Sequence, residues 1–526
     1  MKDSVAIESG VDLLGASLEL QARYEAETSS GDRRRRGQVF TPPAVARFMA
    51  GLLRAPGPTF RLLDPGAGVG VLAAAACERL LHLGSPRSVE IHVFEDDSRL
   101  VPLLEANLKH CIGALETAGH RGRFWLHPKD FVLGVATGAQ RRLFDEANLP
   151  TFDAAIMNPP YFKIGGDSPY ARARSDVVHG QPNIYALFMA QAADLLRPGG
   201  QLVSITPRSF CNGLYFREFR RWYFERMGLD RVHLFESRKE TFGRVLQESV
   251  ITAARRLGST PRKVTVSAGW ARELPSVTSS VRLPTRDVLD DSSGDMVVRI
   301  PASPEDGAVV ELVDSWPHRF HELSLRISTG PVVLFRAKRF ARRGLTKRSV
   351  PLISVHNVRP FDTIWPLEKN GKPDALEVTA DSLRLLVPSG NYVLVRRFSA
   401  KEERRRLVAS ALLAGDLPGE HWALENHLNY VYHARRELSR DQALGVSAVF
   451  NSILFDRYFR VFSGNTQVNA TEVRTMRFPD LAVLGGIGRK LHRYRSLPDI
   501  RAERLVLREL GVGEALTTRL LEIEES

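Results

Sequence analysis

The sequence has few cysteines and no hydrophobic run long enough to cross a membrane. Its 526 residues include three cysteines, Cys77, Cys111 and Cys211, and no pair of them has the spacing of a metal site. Such sparse cysteine argues against a disulfide framework and is typical of a reducing compartment. No apolar run approaches the roughly 20 residues needed to span a bilayer, and the N-terminus lacks the pattern of a signal peptide. We therefore expect a soluble, cytoplasmic protein without a bound metal.

Acidic residues are too few to balance the basic ones, and the formal net charge is +13. Arginine supplies most of the positive charge, and its planar fork matches phosphate oxygens and guanine edges. A basic chain without a membrane segment favours a nucleic-acid partner. A genome that prefers arginine codons would give the same composition, so the charge alone leaves both interpretations open.

Apolar runs alternate with helical patterns between residues 37 and about 265. Strands are predicted over residues 60–63, 89–94, 123–126, 152–157 and 201–206. Strands that alternate with helices predict an α/β fold with a doubly wound, Rossmann-like parallel sheet. Right-handed crossovers bring the carboxyl ends of such strands to one edge of the sheet, where these folds bind their ligands.

A glycine-rich turn follows the first predicted strand and reads Asp64-Pro65-Gly66-Ala67-Gly68-Val69-Gly70. Glycines let a ligand approach the backbone closely, and the helix that begins after the turn offers free N–H groups. The turn lacks the Gly-Lys-Ser/Thr ending of a triphosphate-binding loop. It indicates a nucleotide site, with a tight turn that binds nothing as the alternative.

Acidic and aromatic residues follow the next two predicted strands. Glu95, at the end of the second strand, could accept both hydroxyls of a ribose. After the third strand, Asp130 could accept an adenine amino group and Phe131 could cover the ring face. Each residue alone fits an ordinary loop acid or core aromatic equally well. Together, at successive strand ends, they favour a cofactor that carries adenosine.

The fourth predicted strand ends in the tetrapeptide Asn158-Pro159-Pro160-Tyr161. Two successive prolines cannot continue a β-ladder, so the strand must stop there. The asparagine amide and the tyrosine ring are then presented at the ligand-binding edge of the sheet. An amide acceptor beside an aromatic face suits a planar group that carries an amine, such as adenine.

The order of three motifs resembles that of the gamma class of DNA adenine-N6 methyltransferases. The motifs are Gly37-Gln38-Val39-Phe40-Thr41-Pro42-Pro43, then the glycine-rich turn, then the tetrapeptide. Further strings resemble modification methylases of the BsuBI/PstI type, at residues 205–213, 233–238, 245–248, 327–333 and 463–471. The resemblance covers the chain from residue 37 to about 480.

The resemblance implies S-adenosylmethionine as the methyl donor. The residues expected to hold it are Thr41, Asp64 and the backbone of Gly66 and Gly68 at the methionine end, Glu95 at the ribose, and Asp130 and Phe131 at the adenine.

The tetrapeptide would act on the target base. Adenine N6 is a poor nucleophile because its lone pair is delocalised into the ring. The Asn158 side-chain oxygen and the Pro159 carbonyl, held rigid by Pro160, would each accept one N6–H and free that lone pair. The adenine must leave the duplex to reach them. Tyr161 would stack on one face of the base, and Phe242 is either its partner on the other face or a core residue.

The sequence pattern and the resemblance together divide the chain into five parts, and the arm and the tail at its two ends lie outside the resemblance. The five parts are an N-terminal helical arm with a basic linker (1–36), a catalytic methyltransferase domain (37–265), a connecting segment (266–310), a mixed α+β DNA target-recognition domain (311–485) and a helical C-terminal tail (486–526). Residues expected to grip DNA phosphates are Arg336, Lys338, Arg339, Arg396 and Arg397. Asn465, Gln467 and Asn469 alternate along a strand-like run and could read adenine edges or simply face solvent.

We therefore expect a site-specific adenine methyltransferase for double-stranded DNA. It would protect a CTGCAG-like site from a cognate restriction endonuclease that is functionally paired with it but need not bind it. The alternative is an amine methyltransferase for RNA or a protein glutamine, because the tetrapeptide suits any planar amino group. The basic region after residue 310 and the Gly37–Pro43 motif favour DNA.

Overall fold

The structure is a computed structural model that divides into two compact units, Met1–Ala302 and Ser303–Ser526. It describes residues 12–55, 57–83, 87–135, 149–181, 183–235, 249–257, 262–270, 276–292, 294–367, 372–399, 403–462, 468–492 and 500–525. Within these ranges no helix is long and apolar enough to cross a membrane.

A nine-stranded sheet forms the centre of the first unit. Its strands are β1 (Thr59–Pro65), β2 (Ser88–Phe94), β3 (Arg121–His127), β4 (Phe152–Met157), β5 (Leu196–Pro207), β6 (Met227–Phe235), β7 (Ser249–Arg256), β8 (Lys263–Trp270) and β9 (Ser276–Pro284). The strand order is β3-β2-β1-β4-β5-β7-β6-β8-β9. Neighbours from β3 to β5 run parallel, whereas β7 and β9 run antiparallel to their neighbours. The predicted α/β class and the five predicted strands are confirmed, and four further strands make the sheet mixed.

Helices cover both faces of this sheet. They are α1 (Leu13–Glu27), α2 (Ser30–Arg35), α3 (Pro43–Gly51), α4 (Val71–Leu83), α5 (Val101–Thr117), α6 (Pro169–Ala173), α7 (Ile184–Leu195), α8 (Arg217–Phe224) and α9 (Thr285–Val288), and β10 (Leu289–Asp290) and β11 (Val297–Val298) form a small hairpin after them. Successive strand residues point to opposite faces. Leu62 and Ile156 therefore enter the core that contains α1, α3, α4 and α5, whereas Leu63 and Met157 enter the core that contains α7 and α8.

Two segments differ from the sequence prediction. Residues 30–35, predicted as a loop or linker, form α2, because the Ser29 hydroxyl caps the helix by accepting from Asp32 N and arginine is a good helix former. Residues 276–284, predicted as part of the connecting segment, form β9 at the edge of the sheet. An edge strand is half exposed and carries polar residues, so its pattern is that of a linker.

The second unit contains two small sheets. One has the strand order β13-β23-β20-β21 and the other β14-β18-β15-β22-β19, and two-stranded ladders pair β12 with β24 and β16 with β17. The strands are β12 (His318–Arg319), β13 (Leu325–Thr329), β14 (Ala341–Arg342), β15 (Ser349–Ile353), β16 (Val358–Arg359), β17 (Asp362–Thr363), β18 (Ala375–Glu377), β19 (Leu386–Pro388), β20 (Tyr392–Arg396), β21 (Ala409–Leu412), β22 (His421–Leu424), β23 (Leu428–His433) and β24 (Arg477–Phe478).

Eight helices lie among the described residues of the second unit. They are α10 (Pro304–Asp314), α11 (Leu334–Ala337), α12 (Arg440–Asn451), α13 (Ile453–Phe462), α14 (Ala470–Thr475), α15 (Leu481–Leu491), α16 (Ile500–Glu509) and, at its end, α17 (Glu514–Glu525). Helices α12 and α15 approach so closely at Gly445 and Gly488 that a Cβ at either position would overlap the backbone of the other helix. The predicted helical tail thus packs within this unit. The functions that the sequence predicts for the five parts of the chain stay predictions.

Candidate active site

A cavity of about 270 Å³ lies in the first unit, where the loops that follow β1, β2, β3 and β4 meet. The strand order reverses between β1 and β4, and open α/β sheets bind ligands at such a reversal. Predicted site residues that line this cavity are Thr41, Gly66, Gly68, Glu95, Asp130, Phe131, Asn158 and Pro160. Asp64, Pro159 and Tyr161 belong to the same turns but lie outside that lining. The structure therefore brings predicted residues from five separate parts of the sequence to one place.

The glycine-rich turn is anchored to the end of β2. The N–H groups of Gly66 and Ala67 both donate to the Phe94 carbonyl at 2.9 Å. Gly66 and Gly68 have φ angles of +73° and +60°, a region that glycine adopts without strain. A Cβ at Gly66 would lie 3.4 Å from the Phe188 ring, which also lines the cavity. The absence of side chains thus keeps this side of the cavity open for a ligand.

Glu95 holds the glycine-rich turn in place. Its Oε2 accepts from Gly68 N at 2.8 Å and its Oε1 accepts from Asp97 N at 2.9 Å. Burial raises the pKa of this carboxyl to about 7, although the two backbone N–H groups lower it. The sequence predicted only a role at a ribose. Each carboxylate oxygen can accept a second hydrogen bond, so the observed contacts leave room for that role.

Asp64, at the end of β1, is a buried carboxyl whose oxygens lack a partner. The side chain is 1% exposed, and neither oxygen has a hydrogen bond of normal geometry within the described residues. Burial raises the pKa of Asp64 to about 8, and the backbone N–H of Ala73 offsets this only in part. An unpaired buried carboxylate is costly, so this position suits a group that brings positive charge to it.

Aromatic rings form one wall of the cavity. Phe131 is 2% exposed, and its ring centroid lies 5.0 Å from that of Phe94 and 5.4 Å from that of Phe188. Beside them, Asp130 accepts from the Tyr170 hydroxyl at 2.7 Å. Burial, followed by this hydrogen bond, raises the pKa of Tyr170. The wall offers apolar faces with a carboxylate at its edge, as a planar base requires.

The Asn158 amide is held in one orientation by the Gly37–Pro43 motif. Its Nδ2 donates to the Val39 carbonyl at 2.7 Å and to the Thr41 hydroxyl at 3.0 Å. A carbonyl can only accept, so the amide nitrogen must face Val39 and the Oδ1 atom must point elsewhere. Thr41, predicted at the methionine end of a cofactor, thus positions Asn158 as well as lining the cavity. The backbone strengthens the connection, because Tyr161 N donates to Gly37 O at 3.1 Å.

The hydroxyl of Tyr161 is directed at Asn158. It donates to Asn158 Oδ1 at 2.7 Å and lies 3.0 Å from the Ile205 carbonyl. The ring meets Tyr185 edge to face at 6.2 Å between centroids. Burial raises the pKa of the Tyr161 hydroxyl, which keeps it a donor at neutral pH. Sequence reasoning assigned Tyr161 a stacking role and missed this hydrogen bond.

Other residues at the site were missed because their patterns look structural. Phe188 and Tyr170 lie on helices, where an aromatic residue usually means core packing. The hydroxyl of Tyr24, on α1, lies 3.0 Å from Gln38 Oε1 and 2.9 Å from Asp97 Oδ2. This contact joins the predicted N-terminal arm to the Gly37–Pro43 motif. No local signal in the sequence announces it, since the three residues lie far apart along the chain.

Several predicted residues lie elsewhere. Phe242, Asn465 and Gln467 fall outside the described residues. Asn469, the last residue of the strand-like run predicted to carry the alternation, has an extended backbone and directly precedes α14. Its role in reading bases stays a prediction.

The predicted DNA-gripping residues belong to the second unit. Arg336, Lys338 and Arg339 are exposed there. The guanidinium of Arg396 donates to the Val358 carbonyl through Nε at 2.9 Å, and Arg397 donates to the Asn426 carbonyl at 3.2 Å. The phosphate role stays a prediction for all five, and for Arg396 and Arg397 it competes with these backbone contacts.

Comparisons with known proteins agree with the geometry. Residues 130–242 match the model of the Eco57I restriction-modification methylase family. The chain is 33% identical over 464 residues to the type II methyltransferase M.PstI of Providencia stuartii, covering 86% of this chain and 90% of that protein. It is 34% identical over 461 residues to the type II methyltransferase M.BsuBI of Bacillus subtilis, covering 86% and 89%.

The fold of the chain is similar to that of a larger solved protein. The type IIL restriction-modification enzyme MmeI, solved in complex with DNA, matches with a TM-score of 0.52 and 10% identity over 97% of this chain and 76% of that one. At that identity the likeness concerns the fold alone. The 33% and 34% identity to M.PstI and M.BsuBI over 86% of this chain confirms the family resemblance. The chain belongs to the type II methyltransferases of restriction–modification systems.

Proposed function

We propose that this protein transfers a methyl group from S-adenosylmethionine to N6 of an adenine flipped out of a specific sequence in duplex DNA, so that a cognate restriction endonuclease no longer cleaves there. The observation that carries the proposal is that Asn158 and the glycine-rich turn line one cavity. An amide acceptor for the target base and a turn for the donor are thus within one site.

The residues at the cavity fit S-adenosylmethionine by their chemistry. The buried carboxyl of Asp64, in the glycine-rich turn but outside the cavity lining, suits the ammonium of its methionine end, and Glu95 in the lining suits the ribose hydroxyls. The Phe131 wall, with Asp130 at its edge, suits an adenine ring with its amino group. When bound, this cofactor supplies an electrophilic methyl group on a sulfonium. The remaining steps depend on what the protein does to the acceptor nitrogen.

The tetrapeptide prepares the adenine amine for attack. The Asn158 Oδ1 atom, fixed by the two bonds that the amide nitrogen makes, accepts one N6–H, and the rigid Pro159 carbonyl accepts the other. As positive charge develops on N6, these two dipoles bind the nitrogen more tightly than in the ground state, which lowers the barrier. Fixing the geometry before reaction supplies much of the rate. No strong base is needed beforehand, because the amine becomes acidic only after methyl transfer.

Two substitutions of Tyr161 distinguish the contribution of its hydroxyl from that of its ring. Tyr161→Phe loses one hydrogen bond to Asn158 Oδ1, but both bonds from Asn158 Nδ2 remain. A single hydrogen bond is worth about 1 kcal/mol, so we expect the single-turnover rate to fall about 3- to 10-fold. Tyr161→Ala also removes the stacking face, worth about 1–3 kcal/mol, and should fall further by about 10-fold or more. Single-turnover methylation with saturating cofactor measures both; equal losses would mean that the hydroxyl, not the ring, is what matters.

Removing the Arg336 guanidinium tests the phosphate role. The side chain is exposed, and no acidic partner is found for it among the described residues. Arg336→Ala should weaken binding to all duplex sequences alike and reduce the slope of log K against log salt by about 1. Lys490→Ala is a matched loss of one charge at a lysine that already pairs with Glu509, and should leave the slope unchanged. A loss confined to one DNA sequence would instead show that Arg336 reads a base.

The substrate class is tested by offering alternatives to one preparation. Purified protein is incubated with methyl-labelled cofactor and, separately, duplex DNA, RNA and a protein mixture, with Asn158→Ala as the blank. We expect label only in the duplex. Label in RNA or protein but not in duplex would replace this proposal with the alternative amine methyltransferase. Sequencing the methylated positions in a host that expresses the protein then gives the recognition sequence, including whether it is CTGCAG.

A further inference from the structure

Phe335 is the most exposed large apolar side chain among the described residues. It is 91% exposed, whereas the next in rank, Leu214 and Leu383, are each 54% exposed. A phenylalanine left in water lacks the favourable free energy that burial of its apolar surface would contribute. A ring this exposed packs against very little of the part of the second unit that the structure describes, so its presence points to a partner.

The helix that carries Phe335 is held in place by its buried neighbours. Phe335 lies on the short helix α11, and its neighbours Val332, Ala337 and Phe340 are buried in one core cluster with residues of β15, β18 and β22. The backbone N–H groups of Arg336 and Ala337 both donate to the Val333 carbonyl. The backbone around Phe335 is thus held by core packing and by hydrogen bonds. Its ring points to solvent from an ordered helix.

The surroundings of Phe335 are strongly basic. Residues 334–348 contain seven basic side chains and no acidic one: Arg336, Lys338, Arg339, Arg342, Arg343, Lys347 and Arg348. Arg339 pairs with Asp381 and Arg342 with Glu377. For the other five, no acidic partner occurs within the part of the chain that the structure describes. A surface of this kind attracts a polyanion.

The combination favours nucleic acid over a protein partner. The core of a protein interface is depleted of charge and presents contiguous apolar area. Around Phe335 the exposed neighbours are cationic, and the other exposed apolar side chain of the segment, Leu345, is 43% exposed. Cations that grip phosphates beside one protruding apolar side chain are the arrangement by which proteins insert a wedge between base pairs.

We propose that Phe335 inserts between adjacent base pairs of the bound duplex, while the cations of residues 336–348 hold the phosphates beside the opened step. This inference rests on the proposed function, since it takes duplex DNA as the substrate. Opening one stacked step lowers the energy still needed to extrude a neighbouring base. The wedge would therefore contribute to the methylation of paired DNA and be dispensable when the target base is already unpaired.

The test compares Phe335→Ala and Phe335→Trp with wild type, and uses Ile500→Ala as a matched loss of exposed apolar surface in the same unit, where Ile500 is 47% exposed. The measurements are duplex affinity at several salt concentrations, the fluorescence of 2-aminopurine placed at successive positions, and single-turnover methylation of a perfect duplex and of a duplex mismatched at the target adenine. Melting temperature and cofactor affinity check that each variant is folded.

We expect Phe335→Ala to methylate the perfect duplex about 10-fold or more slowly, to lose the 2-aminopurine signal at one step, and to keep the wild-type salt slope because no charge is lost. Phe335→Trp and Ile500→Ala should behave like wild type, and the mismatched duplex should restore the rate of Phe335→Ala.

Wild-type behaviour of Phe335→Ala on the perfect duplex, or an equal defect on both duplexes, would refute the wedge. A change in oligomeric state without a change in DNA binding would refute it too. If wild type itself methylates no duplex, the proposed function fails, a result separate from failure of the wedge.

Discussion

Asn158→Ala is expected to reduce methyl transfer by about 10²–10³-fold or more while cofactor affinity stays close to that of wild type. The size follows from enzymes in which removal of one preorganised group that stabilises developing charge costs that much. The structure gives the reason for separating the two effects, because the Asn158 amide forms its hydrogen bonds with Val39, Thr41 and Tyr161, none of which belongs to the glycine-rich turn. The measurement is single-turnover transfer to duplex DNA beside calorimetric binding of the cofactor.

Thr41→Val provides a graded control for that experiment. It removes one of the two acceptors of Asn158 Nδ2 and keeps the Val39 carbonyl, so the amide is still oriented but less tightly. We expect a loss of about 10-fold, intermediate between wild type and Asn158→Ala. If Asn158→Ala lost cofactor binding as well as transfer, its role would lie in the donor site and the mechanism proposed above would be wrong.

Asp64→Asn is expected to lower cofactor affinity about 100-fold and at the same time to make the ligand-free protein less sensitive to pH. The first effect follows if the buried carboxylate binds the ammonium of S-adenosylmethionine, because a charge-assisted bond in a buried place is worth about 1.5–3 kcal/mol and its loss leaves the ammonium unpaired. Calorimetric titration with the cofactor measures this loss.

The second effect follows from the raised pKa of Asp64. Its folded-state pKa is about 8, above the ordinary value of 3.8 for an unfolded chain. The folded protein therefore holds this proton more tightly, and the stability it contributes is present below pH 4 and is lost as the pH rises towards 8. Glu95, raised to about 7, acts in the same direction in both proteins. The wild-type free energy of unfolding should thus fall more steeply than that of Asp64→Asn between pH 5 and 8. Parallel denaturation curves across this range would contradict the buried, unpaired state of Asp64.

The parts of the fold that could be predicted are those set by local pattern. Strands β1 to β5 are apolar runs bounded by turn residues, and the turns that follow them carry glycine, acidic or proline signals, so both the strands and the edge they share could be inferred. The prolines after Asn158 gave the end of β4 directly. Motif order then gave the family, which the near full-length relatives confirm.

The contacts that could not be predicted are those of side chains that could bind either a cofactor or a distant part of the protein. Glu95 could face a ribose or a backbone N–H, and only the folded chain shows that Gly68 N lies 2.8 Å away. Thr41 fits a cofactor contact by its motif, yet its hydroxyl accepts from Asn158, which is 117 residues away. Strand β9 is a further case, because an edge strand needs no apolar face on its outer side. Such outcomes depend on three-dimensional arrangement that no window of sequence contains.

The central claim about this protein is that the methyl group is transferred to N6 of adenine. The direct measurement is to let the purified protein methylate duplex DNA with labelled S-adenosylmethionine, digest the DNA to nucleosides and identify the labelled nucleoside by mass spectrometry. We predict that N6-methyldeoxyadenosine carries the label, and that Asn158→Ala forms no labelled nucleoside. Label on a cytosine, or equal labelling by Asn158→Ala, would contradict the claim that the Asn158 oxygen and the Pro159 carbonyl prepare an adenine amine for methyl transfer.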